Sequence, residues 1–553
     1  MKAARRIAAL VLVTLAFSAT SAFALVHAWS HQYAGTSAQG FSCVATDASG
    51  NIYAAGAFYN TTNFGGGNRT SNGGGDIMLV KFNSAGVYQW DRTFGDASDT
   101  QVSTGVGIDL AGNVYIGGFF MGGVNFGGGT LTSLGDRDLF VAKFNSAGTY
   151  QWAKRYGDAA EQFGQDLTVD IGDNVYFTGY YKGSVDFGGG ALTNQGSYDA
   201  FLVKLDTAGA HLWSKRFGDA GDQRGTALAT DHWGNIFFGM SFTGTVDMGA
   251  GDVTSAGNFD VEVVQYGSAG NYQWAHRYGD SGNQQVQAIA TEAFEGYPYI
   301  AGSNAGVMDF GGGPITSAGS FDVFLAKLDC FGNHLWSNGW GDAGDQDGTA
   351  LAVDPSGDVY LAGAFDGAMN LGGGLLTSAG NQDIFLAKFT EGGSHVWSHR
   401  YGDPAKYQIP AGLATDSDYH VVMAGQFQGT VDFGGGPLTG ADLDAFIVQF
   451  GQDPTGVRTP LRNEAALWAS PNPFNPLTVV HYSVPQPGHV RVDIFDARGA
   501  RVTTLVNREH HAGSFTATWH GVDDAGMPAS SGVYFARLTT TGTVSNTKLV
   551  LVK

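Results

Sequence analysis

From residue 25 to residue 451 the chain runs through short stretches in which apolar and polar positions alternate, broken by Gly-centred turns. Residues 199–223 show the unit. Phe201, Val203 and Leu205 alternate with their neighbours, Ala208-Gly209 makes a turn, and a second run around Trp213 leads into an acidic Gly-Asp loop. Alternation with a period of two on both sides of a Gly turn predicts a β-hairpin. The Trp of this hairpin recurs at Trp29, Trp90, Trp152, Trp213, Trp274, Trp336 and Trp397, at steps of 61 or 62 residues. A fixed repeat of that length points to one architecture built from copies, so the 553 residues do not divide into ordinary domains.

Each copy holds four strand-like runs. In the fourth copy they are HLWSKRF, GTALATD, NIFFGMSF and DVEVVQY. A Gly-Asn turn joins the second run to the third, and a longer Gly-rich loop joins the third to the fourth; in most copies that loop reads Phe-Gly-Gly-Gly, beginning at Phe64, Phe126, Phe187, Phe310 and Phe433. Four short strands repeated seven times predict a seven-bladed β-propeller. The inner strand agrees, because small residues (Ala45, Gly107, Thr168, Ala229, Ala290, Ala352, Ala414) alternate with larger apolar ones (Val44, Val106, Leu167, Leu228, Ile289, Leu351, Leu413). Blades that converge on an axis need one small face there. A linear β-solenoid is the competing architecture and would not require that asymmetry.

Closure follows from register. An Asp opens the last run of each copy and lies 14 residues before the next Trp at Asp76, Asp138, Asp199, Asp260, Asp322 and Asp383. The same step from Asp444 reaches Arg458, where there is no Trp hairpin. The missing outer strand is supplied at the other end, where Leu25-Val-His-Ala-Trp29 matches the outer-strand pattern. Pairing it with residues 445–450 would close the ring and cover an open edge.

The units resemble SBBP-type β-propeller repeats, with Asp109-Leu-Ala-Gly-Asn-Val-Tyr115-Ile-Gly-Gly118 and Gly135-Asp-Arg-Asp138-Leu-Phe-Val-Ala-Lys143 carrying the pattern. Copy five departs from it at Glu292-Ala-Phe-Glu-Gly-Tyr-Pro298, and copy seven at Asp416-Ser-Asp-Tyr-His420. The resemblance implies a fold and no reaction. Residues 452–467 carry no repeat and read as a linker. The tail, 468–553, resembles the immunoglobulin-like domain of flagellar hook-capping proteins and the C-terminal sorting domains of bacterial type IX secretion cargo. The matching stretches include Ser470-Pro-Asn-Pro-Phe-Asn-Pro476, Val492-Asp-Ile-Phe-Asp-Ala-Arg-Gly499, Trp519-His-Gly-Val-Asp523 and Ser531-Gly-Val-Tyr-Phe-Ala-Arg-Leu538. Its short alternating strands with Gly and Pro turns suit a small β-sandwich. The fold class is therefore all-β: a seven-bladed β-propeller closed by an N-terminal strand, then a small immunoglobulin-like β-sandwich.

Composition adds location and excludes some partners. Lys2, Arg5 and Arg6 precede an apolar run at 7–17, and Ala22-Phe23-Ala24 is an A-x-A cleavage site, so residues 1–24 read as a secretory signal peptide. No later stretch has the twenty or so apolar residues of a membrane span. Fifty acidic against 29 basic residues give a net charge of −21, which argues against nucleic-acid binding and suits an exported, soluble chain. The two cysteines, Cys43 and Cys330, fall at unrelated repeat positions, so a bridge between them is not expected. A monomer is expected.

The loop from each outer strand to the next inner strand and the Gly-rich loop open on one face, which forms the mouth. The first carries Gly-Asp in most copies and a Gln in every copy: Gln39, Gln101, Gln162, Gln223, Gln284, Gln346 and Gln408. A ring of amides around a channel is a candidate ligand surface, although short polar side chains that recur in every turn ordinarily bond loop backbone. Specificity would come from the copies that differ, namely Phe163, Arg224, Lys406 and Tyr407 beside the Gln ring, which could stack on and bond to a sugar or peptide. Asp342, Asp345 and Asp347 cluster three carboxylates in a short stretch and are the candidate calcium ligands. No other cofactor is implied. No H-E-x-x-H, G-x-S-x-G or C-x-x-C occurs. The expected role is a binding or adhesion scaffold for a cell-surface glycan or protein, with the tail engaging the secretion machinery. The alternative is a glycan hydrolase or lyase that uses carboxylates at the mouth.

Overall fold

The computed structural model describes residues 25–452 and 467–552, apart from 36, 98, 99, 294, 405, 471–473, 475, 485–487, 497, 511–512, 525–526 and 541–542. The expected signal peptide and nearly all of the expected linker lie outside the described residues.

Residues 25–452 form seven four-stranded antiparallel sheets, six of them running in chain order from an inner to an outer strand. One is Gln223–Thr230, Ile236–Phe242, Asp260–Tyr266 and Tyr272–Tyr278. Successive inner strands touch in a cycle, and Gln408–Thr415 packs back onto Gln39–Thr46, so the ring is closed. The two middle strands of a sheet are buried on both faces, as in Ile236–Phe242 and Asp260–Tyr266, because each blade is sandwiched between its neighbours. That is why these runs hold so few polar residues. The outer strands are half-buried, and there the period-two pattern is clearest.

The outer strand of the last sheet is Leu25–Tyr33, which pairs antiparallel with the segment ending at Gln452, from Leu25 opposite Gln452 to Tyr33 opposite Ala445. Trp29 donates Nε1–H to Gln449 Oε1 at 2.6 Å, and Gln32 donates to Asp444 Oδ2 at 2.6 Å. In other sheets an Arg of the outer strand fills the role of Gln32, as when Arg216 meets the buried Asp199 at 2.6 Å. The strand also reaches forward, with His31 Nε2 lying 2.8 Å from the Gly86 carbonyl oxygen of the first sheet.

The repeat motif is a hydrogen-bonding unit. Asp109 accepts the backbone N–H of Ala111 and Asn113 and the side-chain amide of Asn113, which fixes the turn, and Gly112 takes φ 77°. The Lys143 ammonium lies 3.2 Å from Asp109 Oδ2 and 4.6 Å from the Tyr115 ring centre, so the two halves of the motif meet. Copy seven keeps the turn with His420 Nδ1 placed 2.7 Å from Asp416.

Two features differ from the sequence reading. The Gly-rich stretch is a hairpin of its own in the first six sheets, such as Thr245–Asp247 paired with Asp252–Thr254, and in the last it extends the middle strands. Asp247 Oδ1 accepts the N–H groups of Gly249 and Gly251 at its tip, while the Phe of Phe-Gly-Gly-Gly plugs the blade, as Phe187 does 5.1 Å from Phe201. Every inner strand also carries a β-bulge, for example between Gly225 and Ala227. At the bulge Thr226 turns its hydroxyl onto the Val286 carbonyl of the next sheet at 2.7 Å.

The C-terminal residues form a three-stranded sheet (Leu467–Ser470, Thr478–Val484, Gly513–Trp519) and a four-stranded one (Arg501–His510, Gly488–Asp496, Gly532–Thr540, Thr543–Leu551). Their shared core holds Trp519, Phe474, Ile494, Leu538 and Leu549, which makes an immunoglobulin-like sandwich. Both cysteines are free thiols.

Candidate functional site

The mouth is built by the loops that enter the inner strands and by the small hairpins. The seven glutamines do not face it. Each is at most 1% exposed, and most donate Nε2–H to a carbonyl across the loop, such as Gln223 to Thr243 at 2.7 Å and Gln408 to Gln428 at 2.8 Å. Gln39, Gln101, Gln162 and Gln346 do the same at 3.0–3.1 Å, and Gln284 bonds Asn304 and Asp280. The loop carboxylates are used similarly, since Asp219 accepts the N–H groups of Gly221 and Thr245. These side chains brace loops, and a ligand-contacting ring of glutamines is set aside.

The calcium expectation at the mouth is corrected on the same grounds. Both oxygens of Asp342 accept backbone N–H bonds, from Gly344 at 2.9 Å and Ala368 at 2.7 Å, and it also holds Gln346. Asp345 faces the Phe321 amide at 3.4 Å and Asp347 the Gln287 amide at 3.5 Å. Asp342 and Asp345 lie in the loop and Asp347 on the strand that follows it, and among the described residues the three form no group close enough to share an ion.

Asymmetry lies beside the Gln ring. The residue after each Gln is Gly40, Val102, Phe163, Arg224, Gln285, Asp347 or Ile409, and the residues opposite are Ala57, Phe119, Tyr180, Ser241, Ser303, Ala364 and Gln426. In three consecutive sheets these positions, with those that lead into the third strand, hold Phe119, Arg137, Phe163, Tyr180, Tyr198, Arg224 and Phe259, all half-buried. Phe163 lies 5.0 Å from Tyr180 and 5.3 Å from Phe119, and Tyr180 meets Tyr198 edge-on at 5.1 Å. Arg137 stacks over Phe163 at 5.0 Å, and Arg224 lies 5.3 Å from both Tyr180 and Phe259.

Carboxylates pin these cations. Asp222 takes Nε and Nη2 of Arg224 at 3.1 and 2.7 Å. Glu161 accepts the Tyr198 hydroxyl at 2.6 Å and faces Lys182 and Arg137 at 3.3 Å each. The Tyr198 bond, then Lys182, holds the Glu161 carboxyl below its usual range. Asp136 also lies 3.8 Å from Arg137, so three cations and three carboxylates make a charge-balanced, ring-walled surface on a chain of charge −21. A guanidinium laid flat on rings keeps its in-plane donors fixed, which suits it to planar anions and sugar hydroxyls. The structure thus brings Phe163 and Arg224 together. Lys406 and the half-exposed Tyr407 precede the inner strand of the last sheet, across the ring, and do not join them.

Below this cluster the axial channel encloses a cavity of about 710 Å³, lined among others by Tyr180, Arg224, Phe259, Thr104, Gln165 and Gln287. Asp166 also lines it, at a position that is small in most copies. Burial pushes its carboxyl up to about 7, while backbone N–H bonds from Leu228 at 2.7 Å and Leu167 at 2.8 Å oppose that rise. Sequence reasoning did not single out Asp166, Tyr180, Tyr198 or Phe259. The available signal was departure from the repeat consensus at each position.

Residues 478–543 match the model of the FlgD Ig-like domain. The chain is 25% identical over 370 residues to the uncharacterized WD repeat-containing protein L264 of Acanthamoeba polyphaga mimivirus, which covers 53% of this chain and 26% of that one. It is also 25% identical over 392 residues to the regulatory protein FlaEY of Caulobacter vibrioides, covering 65% and 40% respectively. The chain therefore spans well under half the length of these relatives. Among solved structures, it resembles PorZ, a surface component of the type-IX secretion system of Porphyromonas gingivalis, at 12% identity and a TM-score of 0.34, over 93% of this chain and 59% of that one. It likewise resembles a PL25 ulvan lyase at 11% identity and a TM-score of 0.39, over 71% and 93%. Neither likeness bears on what this chain does.

Proposed function

We propose that the protein is an exported, non-catalytic binding or adhesion module whose ring engages a cell-surface glycan or protein through the aromatic and cationic side of its mouth. The C-terminal sandwich serves as its sorting or attachment domain. The observation that carries this reading is the break in repetition: positions filled by Gly40, Ala57 and Ala364 elsewhere hold Phe119, Phe163, Tyr180 and Arg224 in three adjacent sheets, and Arg137, Tyr198 and Phe259 join them from the residues before the third strands, at the rim of a cavity. Bracing needs repeat in every blade, and a ligand does not. Glycan and protein arrays probed with the full chain test this, with a product assay on every glycan retained. Retention without turnover is expected, and no retained ligand of either class would contradict the reading.

The second reading, a glycan hydrolase or lyase, draws on Asp166, whose carboxyl titrates near neutrality as a general acid or base would. Both its oxygens are taken by backbone N–H groups, which makes it a brace between two sheets. Turnover abolished by Asp166→Asn would establish the enzyme instead. Fold alone does not choose, because propellers host both roles.

Truncation after Gln452 is expected to leave the ring folded, since all of its strands precede that point, while surface attachment fails. Thermal melting of the truncated chain and fractionation of the host cells measure the two effects. Normal surface attachment of the truncated chain would contradict the sorting role.

A further inference from the structure

We propose that Glu292, Glu295 and Glu391 hold a calcium ion at the end of the ring opposite the mouth. In six copies the turn after the inner strand opens on an Asp, and in several a Lys of the third strand meets it, as in Asp170 with Lys204 at 3.0 Å. Copy five replaces this turn with a longer one that opens on Glu292 and also carries Glu295, and Glu391 reaches in from a turn of the next sheet. Each of the three glutamates places one carboxylate oxygen within 4.8 Å of the others. The Lys327 ammonium lies 2.9 Å from Glu292 and 3.3 Å from Glu391. One ammonium against three carboxylates leaves two negative charges in excess.

A second observation points to a missing ligand. Glu292 is 4% exposed, and its Oε1 has no hydrogen-bond partner among the described residues. A buried carboxylate oxygen without a donor is costly, and native structures satisfy such atoms. A divalent cation would satisfy it, neutralise the excess charge and tie the irregular turn of one sheet to its neighbour. Oxygens on opposite sides of calcium stand up to about 5 Å apart, and calcium accepts irregular oxygen shells, whereas magnesium demands a near-ideal octahedron and keeps its water.

The test uses the full chain stripped with chelator. Added Ca²⁺ should raise the melting temperature by roughly 2–5 °C at saturation, and equal Mg²⁺ should not. Tb³⁺ should show luminescence sensitised by Tyr297, Tyr299 and Trp336, displaced by Ca²⁺. In the double variant Glu295→Gln/Glu391→Gln both signals should weaken at least tenfold, while the melting temperature without metal is no lower than that of the parent. No calcium-dependent shift, an equal shift with magnesium, or signals retained in the double variant would each overturn the assignment.

Discussion

Deleting Leu25–Tyr33 should leave the ring unfolded or lower its melting temperature by tens of degrees. The strand supplies a full ladder to the last sheet, buries Tyr33 to 7% exposure and packs Trp29 into the core that joins the last sheet to the first. Its loss uncovers a long unpaired strand edge together with that core, and it breaks a ring whose blades support one another in a cycle. The cost, above about 5 kcal/mol, rivals the whole stability of an ordinary domain. Circular dichroism melting of the deleted chain measures it, and a separate Leu25–Tyr33 peptide should restore part of the loss. An unchanged melting temperature would show that the ring does not depend on this closure.

The second large effect should come from Glu262→Met, as a gain. The position opens the apolar middle of a third strand, and the other copies place Met78, Phe140, Phe201, Phe324, Phe385 and Phe446 there. Glu262 is 0% exposed, and neither carboxylate oxygen has a hydrogen-bond partner among the described residues. Burial pushes its carboxyl up to about 8 from an ordinary value of 4.5. The sign follows from proton binding. Between those two values the folded chain keeps a proton that the unfolded chain has released, so stability falls as pH rises, by about 1.4 kcal/mol per unit. The loss begins near pH 4.5 and is complete above about pH 8, at roughly 5 kcal/mol. Met restores the residue of copy one, so the variant should be more stable at pH 8, by about that amount, and nearly equal at pH 4.5. Denaturant unfolding at both pH values checks this. A variant no more stable at pH 8 would mean that the carboxyl finds a partner in solution.

Much of the ring was legible because its signals recur. Trp spacing gave the number of blades, and the absent hairpin after Asp444 located the closing strand, since a register that fails once in seven copies is informative. Local geometry was less legible. The inner-strand bulges shift the face on which Thr226 and its equivalents lie, and a period-two reading cannot register an extra residue. Phe-Gly-Gly-Gly read as a loop because its strands are only two or three residues long. At the site, the glutamines were conspicuous through their repetition, and that repetition reflects bracing. Arg137, Phe163, Tyr180, Tyr198 and Arg224 are spread over almost ninety positions and meet only when three sheets stand side by side. Asp342, Asp345 and Asp347 are close in sequence yet bond different groups in and beyond their loop, whereas Glu292 and Glu391 converge from two turns.

The central claim is that ligand recognition belongs to the aromatic and cationic side of the mouth. It is tested most directly by measuring the affinity of the first array-identified ligand for the double variant Tyr198→Ala/Arg224→Gln, with Tyr407→Ala as the control across the ring. Residues of this kind contribute about 1–3 kcal/mol each when they touch a ligand, so the double variant should bind at least about thirtyfold more weakly. The control should bind as the parent does, and all three chains should melt within a few degrees of one another. Unchanged affinity in the double variant, or a loss confined to Tyr407→Ala, would contradict the account.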